Sequence, residues 1–283
     1  MNSNTNLYIV IFTFILIIAF TALQQHHLNE TRIDVTGTQG ITPLRSISEN
    51  RSPVSSPLNI LFIGNSYTFF YDVPGMILKI AKHDKNNATP LQVRSVTYGG
   101  ATLRQHWKNP KTKQIMQSQH WDILVLQEQS LQYMYAKNIA QSHDAIHRFY
   151  KHTRPEKTDI VLFKTWPRQP NSAWYSDPQY AKNLRNAEAM FTEIHIRVTQ
   201  IAKRLNIRVA PIADYWYFTS LYYPDINLYS ADATHASVKG SYLTALIFYK
   251  TLTGNSPLST TFVPLGMTQK EAATLRKIAA KTL

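Results

Sequence analysis

Three side chains in this sequence have the types and the setting for nucleophilic acyl transfer. Ser66 closes the tight string Gly64-Asn65-Ser66 directly after an apolar run, so its hydroxyl can stand above a sheet edge. Asp232 and His235 lie three apart in Ser230-Ala-Asp-Ala-Thr-His-Ala-Ser237. An imidazole can take the serine proton, and a carboxylate can hold that imidazole in the tautomer the reaction needs. Acyl transfer also needs donors for the developing oxyanion. The backbone N–H groups of Ser66 and of Gly99 or Gly100, with the side-chain amide of Gln127 or Gln129, are the candidates. Each piece alone has an ordinary structural use, since Gly-x-Ser strings and paired glycines make turns and Asp-x-x-His can cap a helix. Their joint order, each at a strand end or just ahead of a helix, is what points to a site.

The elements that must position these residues are legible as alternating short apolar runs and longer amphipathic stretches. Strands are expected at 58–63, 91–96, 123–126, 159–163 and 208–212. Helices are expected from near Asp72, with Pro74 in the first turn, and over 137–152, 179–205 and 238–252, the last stopped by Gly254. Continuous apolar strands separated by helices argue for a parallel sheet covered on both faces. Ligands of such sheets sit at the carboxyl ends of the strands. Ser66, Gly99-Gly100 and Gln127 to Gln129 all follow a strand.

Taken together, these blocks resemble the SGNH (GDSL-type) hydrolase superfamily over about residues 58–255. The strings that carry the likeness are GNSYTFF, GGATLRQHW, WDILVLQEQS and DATHASVKGSY. A subgroup with GNS, GGATL, LQEQS and D-x-x-H blocks is the most similar. The resemblance implies an α/β fold, a three-layer α/β/α sandwich around a five-stranded, mainly parallel sheet of flavodoxin-like type. It implies Ser66 as nucleophile, His235 as base and then acid, and Asp232 as the group that orients the imidazole, with no cofactor. Two positions depart from the family pattern. Gln127-Glu128-Gln129-Ser130 replaces the usual Gly-x-Asn-Asp, which leaves either glutamine as the oxyanion donor. Asn65 replaces the usual aspartate, at a position read as not chemically essential.

Composition narrows the chemistry further. The 283 residues contain no cysteine, which excludes a disulfide scaffold, a thiolate zinc site and a thiol nucleophile. Lys+Arg number 30 against 17 Asp+Glu, a formal charge of +13. No charged side chain precedes Glu30, and Glu30, Asp34 and Glu49 balance Arg32, Arg45 and Arg51, so the whole excess belongs to residues 58–283. Such a surface attracts anions. No nucleic-acid motif accompanies the charge, and no nucleic-acid partner is expected. His143 and His147 are four apart on an expected helix, yet no Glu-containing motif adjoins them and no metal is expected. His83, His106 and His195 read as surface or packing residues.

The N-terminal run from Leu7 to Leu23 is apolar and, at about 1.5 Å per residue, spans roughly 26 Å, near the lower limit for a bilayer. Residues 1–25 are expected to form a membrane anchor or signal segment, an uncleaved anchor being favoured. Residues 26–57, with Gly37, Gly40, Pro43, Pro53 and Pro57 among Ser, Thr and Asn, read as a flexible linker. The hydrolase-like domain then covers 58–283, membrane-anchored or secreted and outside the cytoplasm.

The partner expected from these features is an acyl ester, short-chain such as O-acetyl, on a glycan. Trp166, Trp216 and Tyr217 are candidate stacking surfaces for a sugar ring. Trp166 and Trp174 flank a Pro-rich insertion at 167–178 that could cover the site. A lipase or thioesterase of longer acyl chains, and a non-catalytic glycan-binding or assembly protein on the same fold, are the alternatives. Nothing in the sequence speaks to oligomeric state.

Overall fold

In the computed structural model, residues 56–178 and 181–283 are described. The anchor expected over 1–25 and nearly all of the linker expected over 26–57 lie outside them. Among the described residues, no helix is long and apolar enough to cross a membrane.

Five strands form one sheet: β1 (Leu58–Gly64), β2 (Leu91–Thr97), β3 (Ile123–Leu126), β4 (Asp159–Phe163) and β5 (Arg208–Ala210), in the order β2-β1-β3-β4-β5. Every pairing is parallel. The central strands are apolar because both faces are covered. Alternate residues serve opposite layers: Ile60, Phe62, Val125, Val161 and Phe163 enter one buried cluster. Leu61, Ile63, Leu124, Leu126 and Leu162 enter the other.

The helices of the first layer are α2 (Val73–Lys82), α8 (Ile212–Tyr222), α9 (Val238–Thr253) and α10 (Gln269–Ala280), with α1 (Ser66–Phe69) at the end of β1. The opposite layer holds α3 (Leu103–Lys108), α4 (Pro110–Met116), α5 (Ala136–Thr153), α6 (Ala181–Leu184) and α7 (Ala187–Leu205). Local chemistry sets their ends. The Asp72 side chain accepts from the Gly75 N–H to start α2, and Gly254, at φ 77°, ends α9.

Several elements differ from the sequence expectation. β5 stops at Ala210, because Pro211 has no N–H for the ladder, and Ile212 already opens α8. The single helix expected over 179–205 is two, since Asn186 adopts an extended conformation and caps α7 through the Ala189 N–H. The aromatic segment after β5, outside the expected helices, is α8. A further helix, α10, follows a capping box between Thr268 and Glu271.

Candidate active site

β1 ends at Gly64, and the chain turns through Asn65 so that Ser66 becomes the first residue of α1. The turn is over-determined. The Asn65 N–H donates to Gln127 Oε1 at 2.8 Å, Asn65 Oδ1 accepts from the Tyr67 N–H at 3.1 Å, and Asn65 Nδ2 donates to the Ala101 carbonyl at 3.0 Å. Thr68 Oγ1 also donates to Gln127 Oε1, at 3.0 Å. Only glycine fits at position 64. A Cβ there would lie 2.5 Å from Gln127 Oε1 and 2.6 Å from Thr68 Oγ1.

The second part of the site is the turn before α9. Asp232 Oδ1 accepts from the N–H groups of Thr234 and His235, at 3.0 and 2.9 Å, and so closes the turn. Its other oxygen, Oδ2, lies 2.5 Å from His235 Nδ1. A carboxylate can only accept, so Nδ1 carries the hydrogen and Nε2 is left bare. That bare nitrogen lies 2.8 Å from Ser66 Oγ. Burial pushes the Asp232 pKa up, but hydrogen bonds from the His235 ring, its N–H and the Thr234 N–H together hold it below the usual carboxylate range. The structure thus brings Ser66, His235 and Asp232 into one hydrogen-bonded chain.

Two aromatic residues of the Ser66 segment complete the setting of His235. Phe70 lies flat on the imidazole, with centroids 4.1 Å apart, and the Tyr67 ring meets it edge-on at 5.7 Å. The segment after β4 braces the same turn, since Trp166 Nε1 donates to the Thr234 carbonyl and the Gln169 N–H to the Ala233 carbonyl.

Gly99 and Gly100 are exposed on the loop after β2, and Gly100 adopts φ +66°. The N–H of Ser66 stands first in its helix and has no intrahelical acceptor. The two glutamines have different settings. Gln127 is fully buried, with Oε1 taken by Asn65 and Thr68 and Nε2 donating to the Glu128 carbonyl at 2.9 Å. Gln129 is half-buried, and its Oε1 accepts from the Leu131 N–H.

Solved structures share this architecture. A protein from Slackia heliotrinireducens, described as a candidate SGNH hydrolase, is 23% identical and matches 70% of this chain and 100% of its own, with a TM-score of 0.58. The chain has the SGNH-hydrolase fold. A DUF4886 family protein from Bacteroides uniformis is 16% identical over 80% of this chain and 94% of its own, with a TM-score of 0.66. An acetylxylan esterase from Geobacillus stearothermophilus is 17% identical over 73% of this chain and 98% of its own, with a TM-score of 0.53. By sequence, no protein-family model and no curated protein matches the chain.

Within the SGNH fold, the expected sugar platforms are placed differently from the expectation. Trp166 and Trp216 are 0% and 2% exposed. They stack on each other at 3.9 Å, and Tyr67 stacks on Trp166 at 4.5 Å. Their faces are occupied by core packing and leave none for a sugar. Tyr217 stacks on Phe191 of α7 at 4.6 Å.

Sequence reasoning passed over four residues around the site. Asn65, read as inessential, is buried and joins the Ser66 turn to the loop after Gly99-Gly100. His106, read as surface or packing, is buried with Nε2 2.8 Å from the Gly64 carbonyl and Nδ1 3.1 Å from Thr112 Oγ1. Burial pushes its pKa down, so the ring donates from Nε2 as a neutral group. Phe70 carried no signal beyond its nearness to Ser66. Glu128 did carry one, as a charged residue directly behind a wholly apolar strand. It is buried, and its carboxylate accepts from the Leu103 N–H at 3.1 Å, the Gln129 N–H at 2.8 Å and Ser142 Oγ at 2.8 Å. Burial pushes its pKa up to about 7 against the pull of those three donors.

Proposed function

We propose that this protein is a serine esterase that hydrolyses short-chain O-acyl esters, O-acetyl above all, carried on a glycan. The observation that carries the reading is the continuous contact from Ser66 Oγ to His235 Nε2, at 2.8 Å, and from His235 Nδ1 to Asp232 Oδ2, at 2.5 Å. Ser66 Oγ attacks the ester carbonyl as its proton passes to His235 Nε2. The N–H groups of Ser66 and Gly100, with the Gln129 amide, receive the developing oxyanion. Gln129 is preferred to Gln127 because the Gln127 side chain already holds the nucleophile turn. Collapse expels the alcohol with the proton from His235. Water, activated by the same imidazole, then releases the acid and restores Ser66.

The short-chain glycan ester is supported by the acetylxylan esterase among the structural neighbours. The apolar N-terminal run supports a membrane-held or exported enzyme, and fractionation of the full chain tests that part.

Purified protein assayed on acetylated oligosaccharides and on a series of 4-nitrophenyl esters tests the function. Turnover is expected on acetyl esters, falling with chain length, together with labelling of Ser66 by a serine-reactive phosphonate. Preference for long acyl chains would remove the glycan reading. Absence of both turnover and labelling would favour a binding protein on this fold.

A further inference from the structure

Arg168, in the segment after β4, is 4% exposed. Its guanidinium cannot lose its charge inside a protein. Nη1 donates to the Tyr67 hydroxyl, while Nε has no hydrogen-bond partner. The guanidinium carbon lies 5.0 Å from the ring centre of half-buried Trp174 and 5.9 Å from that of Tyr67. Among the described residues, no Asp or Glu forms an ion pair with it.

Two other cations drawn into this fold are paired with acids. Lys164, 5% exposed, pairs with Asp214, and half-buried Arg208 pairs with Asp159 at 2.6 Å. Tyrosinate does not serve as the missing counter-ion for Arg168. Burial pushes the phenols of Tyr67, Tyr175 and Tyr229 above their ordinary range, even with the guanidinium close by. A desolvated charge without a partner is costly to keep. The Tyr67 bond uses Nη1; Nε, buried and without a hydrogen-bond partner, lies with Nη2 on the other edge of the guanidinium, the planar fork that suits a carboxylate.

The position of that fork is informative. Tyr67 directly follows Ser66, and its ring edge meets His235. The neighbours Trp166 and Gln169 are bonded to the turn that holds Asp232 and His235. One side chain, Tyr67, thus separates the charge from His235, in a body that carries the whole +13 excess of the sequence. We propose that Arg168 is the recognition site for a carboxylate on the substrate, so that the preferred ester is carried by an acidic alcohol such as a uronic-acid-containing sugar. This assignment rests on the esterase reading above and names its substrate class.

The test uses a matched pair of acetyl esters, 4-acetoxybenzoate and its methyl ester, which differ in one negative charge. Wild type, Arg168→Lys, Arg168→Met and Tyr67→Phe are compared, with circular dichroism melts to establish folding. Arg168→Met is expected to lose at least tenfold more kcat/KM on the charged ester than on the neutral one, chiefly through KM. Arg168→Lys should recover part of that selectivity, and Tyr67→Phe should retain it because the guanidinium remains. Equal losses on both esters would overturn the proposal and leave Arg168 as a support for Tyr67. If Arg168→Met does not fold, the Lys variant is read alone: an unchanged charged-to-neutral ratio together with unchanged KM overturns the assignment. Wild type that hydrolyses neither ester would instead remove the esterase reading. Calorimetric titration with 4-hydroxybenzoate then decides Arg168 separately: binding to wild type that is lost in Arg168→Met supports it, and no binding overturns it.

Discussion

The ring of Phe70 lies on the imidazole of His235 with centroids 4.1 Å apart and planes 10° from parallel. Between Phe70 and α2 the chain passes through Tyr71 and Asp72, both left-handed at φ 51° and 53°. Non-glycine residues hold that conformation only where the surroundings impose it. The same segment thus supplies both Ser66 and a cover for one face of the His235 ring. Aromatic pairs contribute about 0.5–1.5 kcal/mol beyond area burial. Phe70→Ala is expected to lower kcat by about three- to tenfold, by the same conversion of free energy to rate. Phe70→Tyr should stay near wild type. Steady-state kinetics on an acetyl ester checks both.

Asp232 has two tasks, one oxygen closing the turn and the other fixing the His235 tautomer. Asp232→Asn keeps an oxygen for the turn, but its amide can present a hydrogen to Nδ1 and favour the wrong tautomer. Turnover should fall by about four orders of magnitude, as carboxylate-to-amide changes at such triads do, with little change in melting temperature. The pH dependence follows from the same bonds. The folded pKa of Asp232 is held down, so its contribution to stability is present above the unfolded carboxylate pKa. It is lost as pH falls through the depressed folded value. Acid titration of wild type against Asp232→Asn, followed by circular dichroism, should show a shallower acid limb in the variant.

Much of this arrangement was legible because it is written in contiguous, strongly typed residues. Runs such as Leu58 to Ile63 are apolar on both faces, which only a covered parallel strand explains. The order Ser66, Gly99-Gly100, Asp232, His235 likewise needs no tertiary knowledge to be noticed. What could not be read depends on packing between distant segments. Trp166 and Trp216 have the composition of a sugar platform, and only the fold shows that they stack on each other. Apolar residues run all round α8, so no helical stripe distinguished it from a loop. His106 reaches the Gly64 carbonyl across 42 residues, a contact that no spacing rule anticipates.

Gly64 and Gln127 touch so closely that the strand end has no room for a side chain. A Cβ at position 64 would press on Gln127 Oε1, Thr68 Oγ1 and Gln127 Cβ, at 2.5, 2.6 and 2.9 Å. Gln127 cannot retreat without releasing the Asn65 N–H, which sets the direction of the Ser66 turn. Gly64→Ala is therefore expected to cost about 1–3 kcal/mol of stability, the usual range for overpacking. It should also lower kcat at least tenfold in the fraction that folds. Urea unfolding and active-site titration with the phosphonate separate the two effects. A variant with wild-type stability and full activity would show that the turn is looser than its hydrogen bonds imply.

Glu128 supplies the last prediction, because its carboxylate joins three segments behind the Gly99-Gly100 loop. Leu103 opens the helix that follows Gly99-Gly100, Gln129 ends the β3 block, and Ser142 lies on α5. The folded pKa, about 7, is above the ordinary value of 4.5. Between those values the folded protein keeps a proton that the unfolded chain has released, so stability falls as pH rises through this window. The full difference is on the order of 3 kcal/mol at about 1.4 kcal/mol per pKa unit. Relative to Glu128→Gln, wild type should therefore lose stability between pH 4.5 and 7, measured by urea midpoints; His106 and His143, whose pKa values burial holds down, act in the opposite sense in both proteins. Glu128→Gln, neutral at every pH, should flatten that slope. Glu128→Ala should be less stable throughout, because two N–H groups and a hydroxyl lose their acceptor, at about 1–3 kcal/mol for each buried group left unsatisfied. An unchanged slope in Glu128→Gln would mean that another group titrates in this range.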